Sequence, residues 1–247
     1  MLKIRKIHPA VLFALLAMIL ALCTAVPAQA ASASSVPTLT PASASSSAPT
    51  LSAAERQRIV IGYNTTAKVR LSFDDCASNQ AKLSSILNTL KSYRVQAIFF
   101  FTGDCARAHP NWMSQIVAAG QYLGNHSSNH ADYAKLTSAQ VKAQIAGGVR
   151  GTTNPRLCRP PYGNMAFTDW FYRIAATMGC KPAYWSVDTR DWSGSSTATI
   201  LRRVFVGDQY TPPARKGGLI LMHATSAHGW QAVGPMIAGL RARGFQV

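Results

Sequence analysis

From about Arg56 onward, short runs of β-branched and aromatic residues alternate with segments whose apolar positions recur every three or four residues. The runs at 69–73, 95–102, 122–125, 157–159, 183–187 and 219–222 read as strands. Segments 80–92, 110–119, 138–147, 166–178, 197–206 and 231–243 read as helices. Strand and helix in strict alternation predict an α/β fold with a mainly parallel sheet. Six or seven such units within fewer than 200 residues fit a small barrel. Polar residues follow the apolar runs directly: Asp74 and Asp75, then His126, Arg159, Asp188 and His223. In parallel α/β folds catalytic groups collect at those carboxyl ends.

The first part of the chain has a different pattern. Lys3, Arg5 and Lys6 precede an apolar run over 10–26, and Ala28-Gln29-Ala30 supplies an A-x-A site, together the pattern of a secretory signal peptide over residues 1–30. The run is shorter than the roughly twenty residues a membrane span needs. Leu22 before Cys23 does not fit a lipoprotein signal, so no stable membrane anchor is expected. Residues 31–57, rich in Ala, Ser, Thr and Pro, read as a flexible linker, leaving one catalytic domain over 58–247.

Composition sharpens this reading. The chain has 247 residues, 48% of them hydrophobic, enough for one sizeable core. Its net charge is +16; without residues 1–30 it carries 22 basic and nine acidic residues, a net +13. That charge favours association with an anionic cell wall. Export, and the lack of a Lys/Arg block, argue against nucleic acid. A monomer is the default expectation.

Four cysteines remain beyond the leader, an even number in an exported chain. Three pairings are open to them. Cys76 and Cys105 each follow a strand-like run, and Cys158 and Cys180 bracket one helix, which favours Cys76–Cys105 and Cys158–Cys180. A four-thiolate zinc site would normally show a C-x-x-C pair, which the chain lacks.

Four of the nine acids, Asp74, Asp75, Asp188 and Asp191, stand at two strand ends. Adjacent carboxylates stay ionised only if a cation or donors compensate. His126 and His130, four apart, can face one point. Two histidines and a carboxylate make a three-ligand site with room for water, as in catalytic zinc, although non-haem iron takes the same set. Arg159-Pro160-Pro161-Tyr162-Gly163 is a stiff bend carrying a fixed cation. A carboxylate of Asp188-Thr189-Arg190-Asp191-Trp192 could meet His223 across neighbouring strand ends.

With Ser72-Phe73-Asp74-Asp75, His126-Ser127-Ser128-Asn129-His130 and Leu219-Ile220-Leu221-Met222-His223, these motifs stand in the order of a known family. From about Lys68 to Val247 the chain resembles polysaccharide deacetylases of the NodB-homology type, carbohydrate esterase family four. The resemblance implies that family's small distorted barrel and the release of acetate from an N-acetylglucosamine-containing polysaccharide, peptidoglycan or chitin-type. It implies Asp74 as general base, with Asp75, His126 and His130 holding a divalent ion, zinc first, cobalt or another as substitutes. It further implies Arg159 orienting Asp74, the Tyr162 backbone N–H at the oxyanion, and Asp188 orienting His223 as general acid. Trp192, Leu221 and Pro161 would line the acetyl pocket.

Three positions depart from the family pattern: Cys76 where glycine then proline is usual, Ala224 where an acid is common after His223, and the end at Val247 soon after the last helix. His228 is an alternative acid close to His223. The competing functions are acetylxylan O-deacetylation by the same site, a wall protein that binds glycan without turning it over, and an iron oxygenase. The expected location is extracellular or at the cell wall.

Overall fold

The apolar runs become strands and the periodic segments become helices in a computed structural model that describes Asn64 and residues 66–247. The expected leader and linker, and the first residues of the catalytic domain, lie outside the described residues. In chain order the elements are β1 (Arg70–Asp74), α1 (Gln80–Ser92), β2 (Ile98–Phe101), α2 (Gly103–Ala108), α3 (Pro110–Ala118), β3 (Tyr122–Asn125), α4 (Ser138–Ala146) and β4 (Leu157–Cys158). They continue with α5 (Asp169–Thr177), β5 (Lys181–Pro182), β6 (Val187–Asp188), α6 (Thr197–Phe205), β7 (Leu219–His223) and α7 (Gly229–Ala242).

Local chemistry fixes where the helices begin. Asn79 Oδ1 accepts from the Lys82 N–H, Thr168 and Ser196 cap α5 and α6 in the same way, and Thr137 with Gln140 forms a capping box on α4. Helix α2 was not among the expected elements. Thr102 caps it, but six residues are too few to display a period.

The sheet order is β5-β4-β3-β2-β1-β7-β6, and every pair is parallel. Of the run 183–187, expected as one strand, only Val187 lies in a strand, β6; residues 183–186 are the connection between β5 and β6, which lie on opposite edges. Laid flat, seven strands would separate those edges by about 29 Å, at ~4.8 Å per spacing. The five steps from Pro182 to Val187 reach at most about 18 Å. The sheet must therefore curl almost closed. The crossing segment keeps backbone bonds on both sides, Ala183 N–H to Cys158 O and Ser186 N–H to Leu219 O.

Alternation along the strands sorts side chains into two layers. Phe99 and Phe101 pack outward under the helices with Leu71 and Phe73; the Phe73 and Phe99 rings stack at 5.0 Å. Ile98 and Phe100 turn inward with Leu157, Ala183 and Leu219. The same period sends Ser72 and Asp74 inward, toward the barrel mouth. Both expected disulfides are present: Cys76–Cys105 ties the end of β1 to α2, and Cys158–Cys180 ties β4 to the start of β5.

Candidate active site

Asp74 is the last residue of β1 and is buried. Its Oδ1 accepts from Arg159 Nη1 at 2.5 Å. Arg159, fully buried, also donates to Ser72 Oγ and to the carbonyls of Ala183 and Tyr184, and its guanidinium lies 4.0 Å over the Phe100 ring. The cation therefore serves two ends: it neutralises Asp74 and satisfies carbonyls of the segment that closes the barrel. Burial raises the Asp74 carboxyl above its ordinary range, and the Arg159 charge opposes that rise.

Asp75 leaves the strand with φ 67°. This turns its carboxylate toward His126 and His130: Oδ1 lies 3.6 Å from His126 Nε2 and 3.2 Å from His130 Nε2. One ligand atom from each of the three residues falls within 4.8 Å of the others, the arrangement of a metal-holding group. Ligand atoms around a tetrahedral zinc, at bonds of roughly 2.0–2.2 Å, stand roughly 3.3–3.6 Å apart. His126 Nδ1 is 2.9 Å from the Arg159 carbonyl, which makes Nδ1 the N–H donor and leaves the Nε2 lone pair for a cation. Burial pushes the His126 imidazole down to about 3, so it is neutral as a ligand must be. The residues present thus fit a divalent ion.

His223, at the end of β7, stands beside Asp74 on the neighbouring strand by register. The expectation that Asp188 orients it is corrected: its Nδ1 is 2.9 Å from Asp191 Oδ1, and its backbone N–H donates to Asp191 Oδ2. Arg190 in the left-handed region (φ 47°) turns the chain so that the second acid, fully buried, reaches the histidine. Asp188 instead accepts from the Arg190 N–H and lines the cleft. Burial alone would lower His223, but the hydrogen bond and charge of Asp191, with the charges of Asp74 and Asp75, hold it up at about 9. Nε2 of a protonated ring is then free to give a proton.

These groups share a cleft of about 370 Å³, lined also by Tyr162, Gly163, Trp185, Trp192 and Leu221. Tyr162 is 64% exposed and stands edge-on to His130 at 4.6 Å; Trp192 is 61% exposed. Of the three expected pocket residues, Trp192 and Leu221 line the cleft, while Pro161 is buried in the turn whose next two residues face it. Trp185 and Gly163 were not expected there. A side chain on Gly163 would run into Trp185 and Tyr184, and its φ of +68° suits glycine. His228 is exposed at the start of α7. Of the seven described non-glycine residues with positive φ, five stand in the site motifs: Asp75, Ser127, His130, Tyr162 and Arg190. Backbone held in a sparsely populated region concentrates at working sites.

Residues 62–183 match the family model for polysaccharide deacetylases. Over 169 residues the chain is 33% identical to a peptidoglycan-N-acetylglucosamine deacetylase of Bacillus cereus, a match covering 66% of this chain and 58% of that protein. It is 30% identical to a chitooligosaccharide deacetylase of Sinorhizobium fredii, covering 63% of this chain and 71% of the relative. Among solved structures it resembles a family 4 carbohydrate esterase from Streptomyces lividans in complex with acetate, with a TM-score of 0.61, 28% identity, and 73% and 91% of the two chains covered.

Proposed function

The chain belongs to the polysaccharide deacetylase family, and from that premise we propose that it is a metal-dependent hydrolase releasing acetate from N-acetylglucosamine units of peptidoglycan or chitin-type chains. The observation that carries the reading is the convergence of Asp74, His223 and the Asp75/His126/His130 group on one cleft.

A divalent ion held by those three residues, zinc in this reading, supplies Lewis-acid polarisation of water and of the acetyl carbonyl. Asp74 takes the water proton, and the buried Arg159 favours its carboxylate form against the pull of burial and aims it. Attack on the carbonyl carbon gives a tetrahedral oxyanion, to which the Tyr162 N–H donates. Asp191 orients His223, whose Nε2 proton passes to the glucosamine nitrogen as the C–N bond breaks. The products are acetate and a free amine, which balances the water consumed. Trp192 and Leu221 enclose the acetyl methyl. Among the described residues no helix is long and apolar enough to cross a membrane. The leader pattern over residues 1–30 supports action outside the cell.

The test strips the protein with a chelator, restores zinc, cobalt or nothing, and measures acetate from chitooligosaccharides, peptidoglycan and acetylxylan in parallel. Metal-restored release from a glucosamine polymer is expected, and Asp74→Asn should lose roughly 100-fold to 10,000-fold of it. Release from acetylxylan alone would move the activity to ester substrates. No release with metal bound and the fold intact would leave a glycan-binding protein.

A further inference from the structure

Positive and negative charge are segregated along the barrel axis. Asp74 ends β1 and Asp75 follows it, Asp104 and Asp132 follow β2 and β3, Asp169 follows β4, Asp188 ends β6 and Asp191 lies in the turn after it. The eighth described acid, Asp208, is held by Arg190 and Arg203. At this carboxyl end most cations are tied down: Arg107 pairs with Asp104, Lys135 with Asp132, Arg173 with Asp169, and the Lys82 ammonium donates to Ser78 Oγ and the Ser226 carbonyl.

The opposite end carries cations without acids. Lys68 and Arg70 lead into β1, and Arg215 and Lys216 lead into β7, joined to them by Gly217 N–H to Ala67 O and Arg70 N–H to Gly218 O. Arg241 and Arg243 close α7, brought alongside by Val69 N–H to Gln246 O. Lys91 and Arg94 close α1, and Arg241 Nη2 donates to the Tyr93 carbonyl between them. All eight except Arg70 are exposed, and none makes an ion pair with a described residue. Two of them sit in a last helical turn, where a cation offsets the helix dipole. That accounts for Lys91 and Arg241 but not for the six others.

We infer that this face is a docking surface for a linear polymer of repeating phosphodiesters in the cell wall, holding the enzyme with its cleft directed away from the polymer. The choice of a wall polymer rests on the deacetylase reading. Cations spread over four segment ends suit a chain of charges rather than one small anion. Five of the eight are arginines, whose planar fork pairs with phosphate. The exposed large apolar side chains, Val117, Tyr162, Tyr172, Trp192, Val206 and Tyr210, all lie outside these segments. Of these, Val117 and Val206 close helices at the same end, and two separate valines supply neither an aromatic wedge for a membrane nor a platform for stacking bases.

The test compares Lys68→Glu/Arg215→Glu/Lys216→Glu with a control reversed at the cleft end, Lys135→Glu/Arg173→Glu plus Lys142→Glu. Binding of soluble polyglycerol phosphate is titrated at several salt concentrations, beside single-stranded DNA and phosphatidylglycerol vesicles of matched phosphate. The first variant is expected to lose at least about tenfold in affinity and about 2 from the log-log salt slope, at roughly 0.7 per lost phosphate contact. The control should stay close to the unmodified protein, and both should cleave a short neutral chitooligosaccharide normally. Equal weakening by the control, or no polymer binding by the unmodified protein, overturns the inference. Tighter binding to DNA or vesicles gives the face to another partner and overturns it as well. Because binding is read without turnover, lost acetate release with intact polymer binding counts against the hydrolase reading alone.

Discussion

Two histidines lining one cleft, the buried His126 beyond β3 and the part-buried His223 on β7, are driven to opposite protonation states. Burial lowers both. His126 meets only a carbonyl at Nδ1, and burial outweighs the raising charge of Asp75 beside Nε2 and takes it down to about 3. His223 meets the Asp191 carboxylate at Nδ1, and that acid, reinforced by Asp74 and Asp75, reverses the outcome and holds it at about 9. The partner of the far nitrogen decides whether an imidazole offers a lone pair or a proton. One wall is thereby suited to hold a cation and the other to donate to a leaving group.

Breaking the first wall has the largest expected effect. His126→Ala removes a neutral ligand, and the protein should lose its bound metal, read by elemental analysis. Acetate release should fall by more than the about 100-fold that loss of a group merely orienting a ligand can reach. Retained stoichiometric metal with normal turnover would remove His126 from the ligand set.

The two walls were unequally legible in the sequence. His126 and His130 stand four apart within one motif, close to a strand end, so local spacing was enough to bring them together. Spacing alone does not choose between Asp188 and Asp191 as the His223 partner, because both follow the same apolar run. What selects Asp191 is a left-handed Arg190, and nothing about an arginine announces positive φ. For a related reason residues 183–186 are not a strand: their apolar content fits one, but their place between two sheet edges makes them a connection. The same topology gives Arg159 its second task of satisfying the Ala183 and Tyr184 carbonyls, which no motif spacing encodes. Strands β1 and β3, helix α1 and both disulfides were readable because periodicity, caps and cysteine positions agreed there.

Asp191→Asn should make the second wall behave like the first. The amide keeps a hydrogen-bonding partner but removes the charge, so burial again dominates and His223 falls from about 9 toward or below its ordinary range. The alkaline limb of the activity profile, expected near pH 9, should move down by more than two pH units. At pH 7 a ring with the ordinary value of about 6.5 is protonated to roughly a quarter. The stability consequence has the same sign. A folded value above the unfolded one stabilises the protein below pH ~6.5, and that contribution fades as pH rises through about 9. Asp191→Asn should therefore flatten the pH dependence of Tm over that window, whereas Asp188→Asn should leave the limb in place.

The smallest effect expected comes from the disulfides, because both support the same wall. Cys76 follows Asp75, and Cys158 precedes Arg159, whose carbonyl fixes His126; neither bridge touches Asp191 or His223. Replacing Cys76 and Cys105 by alanine frees the positive-φ turn that aims Asp75 and should weaken metal binding by up to about tenfold, the lower end for loss of an outer support. At saturating metal, turnover and its alkaline limb should remain those of the unmodified protein. Metal titration and the pH profile on one preparation separate these readouts. A limb that moved with the disulfide would mean that the two walls are mechanically coupled and that the contrast between the histidines does not depend on their immediate partners alone.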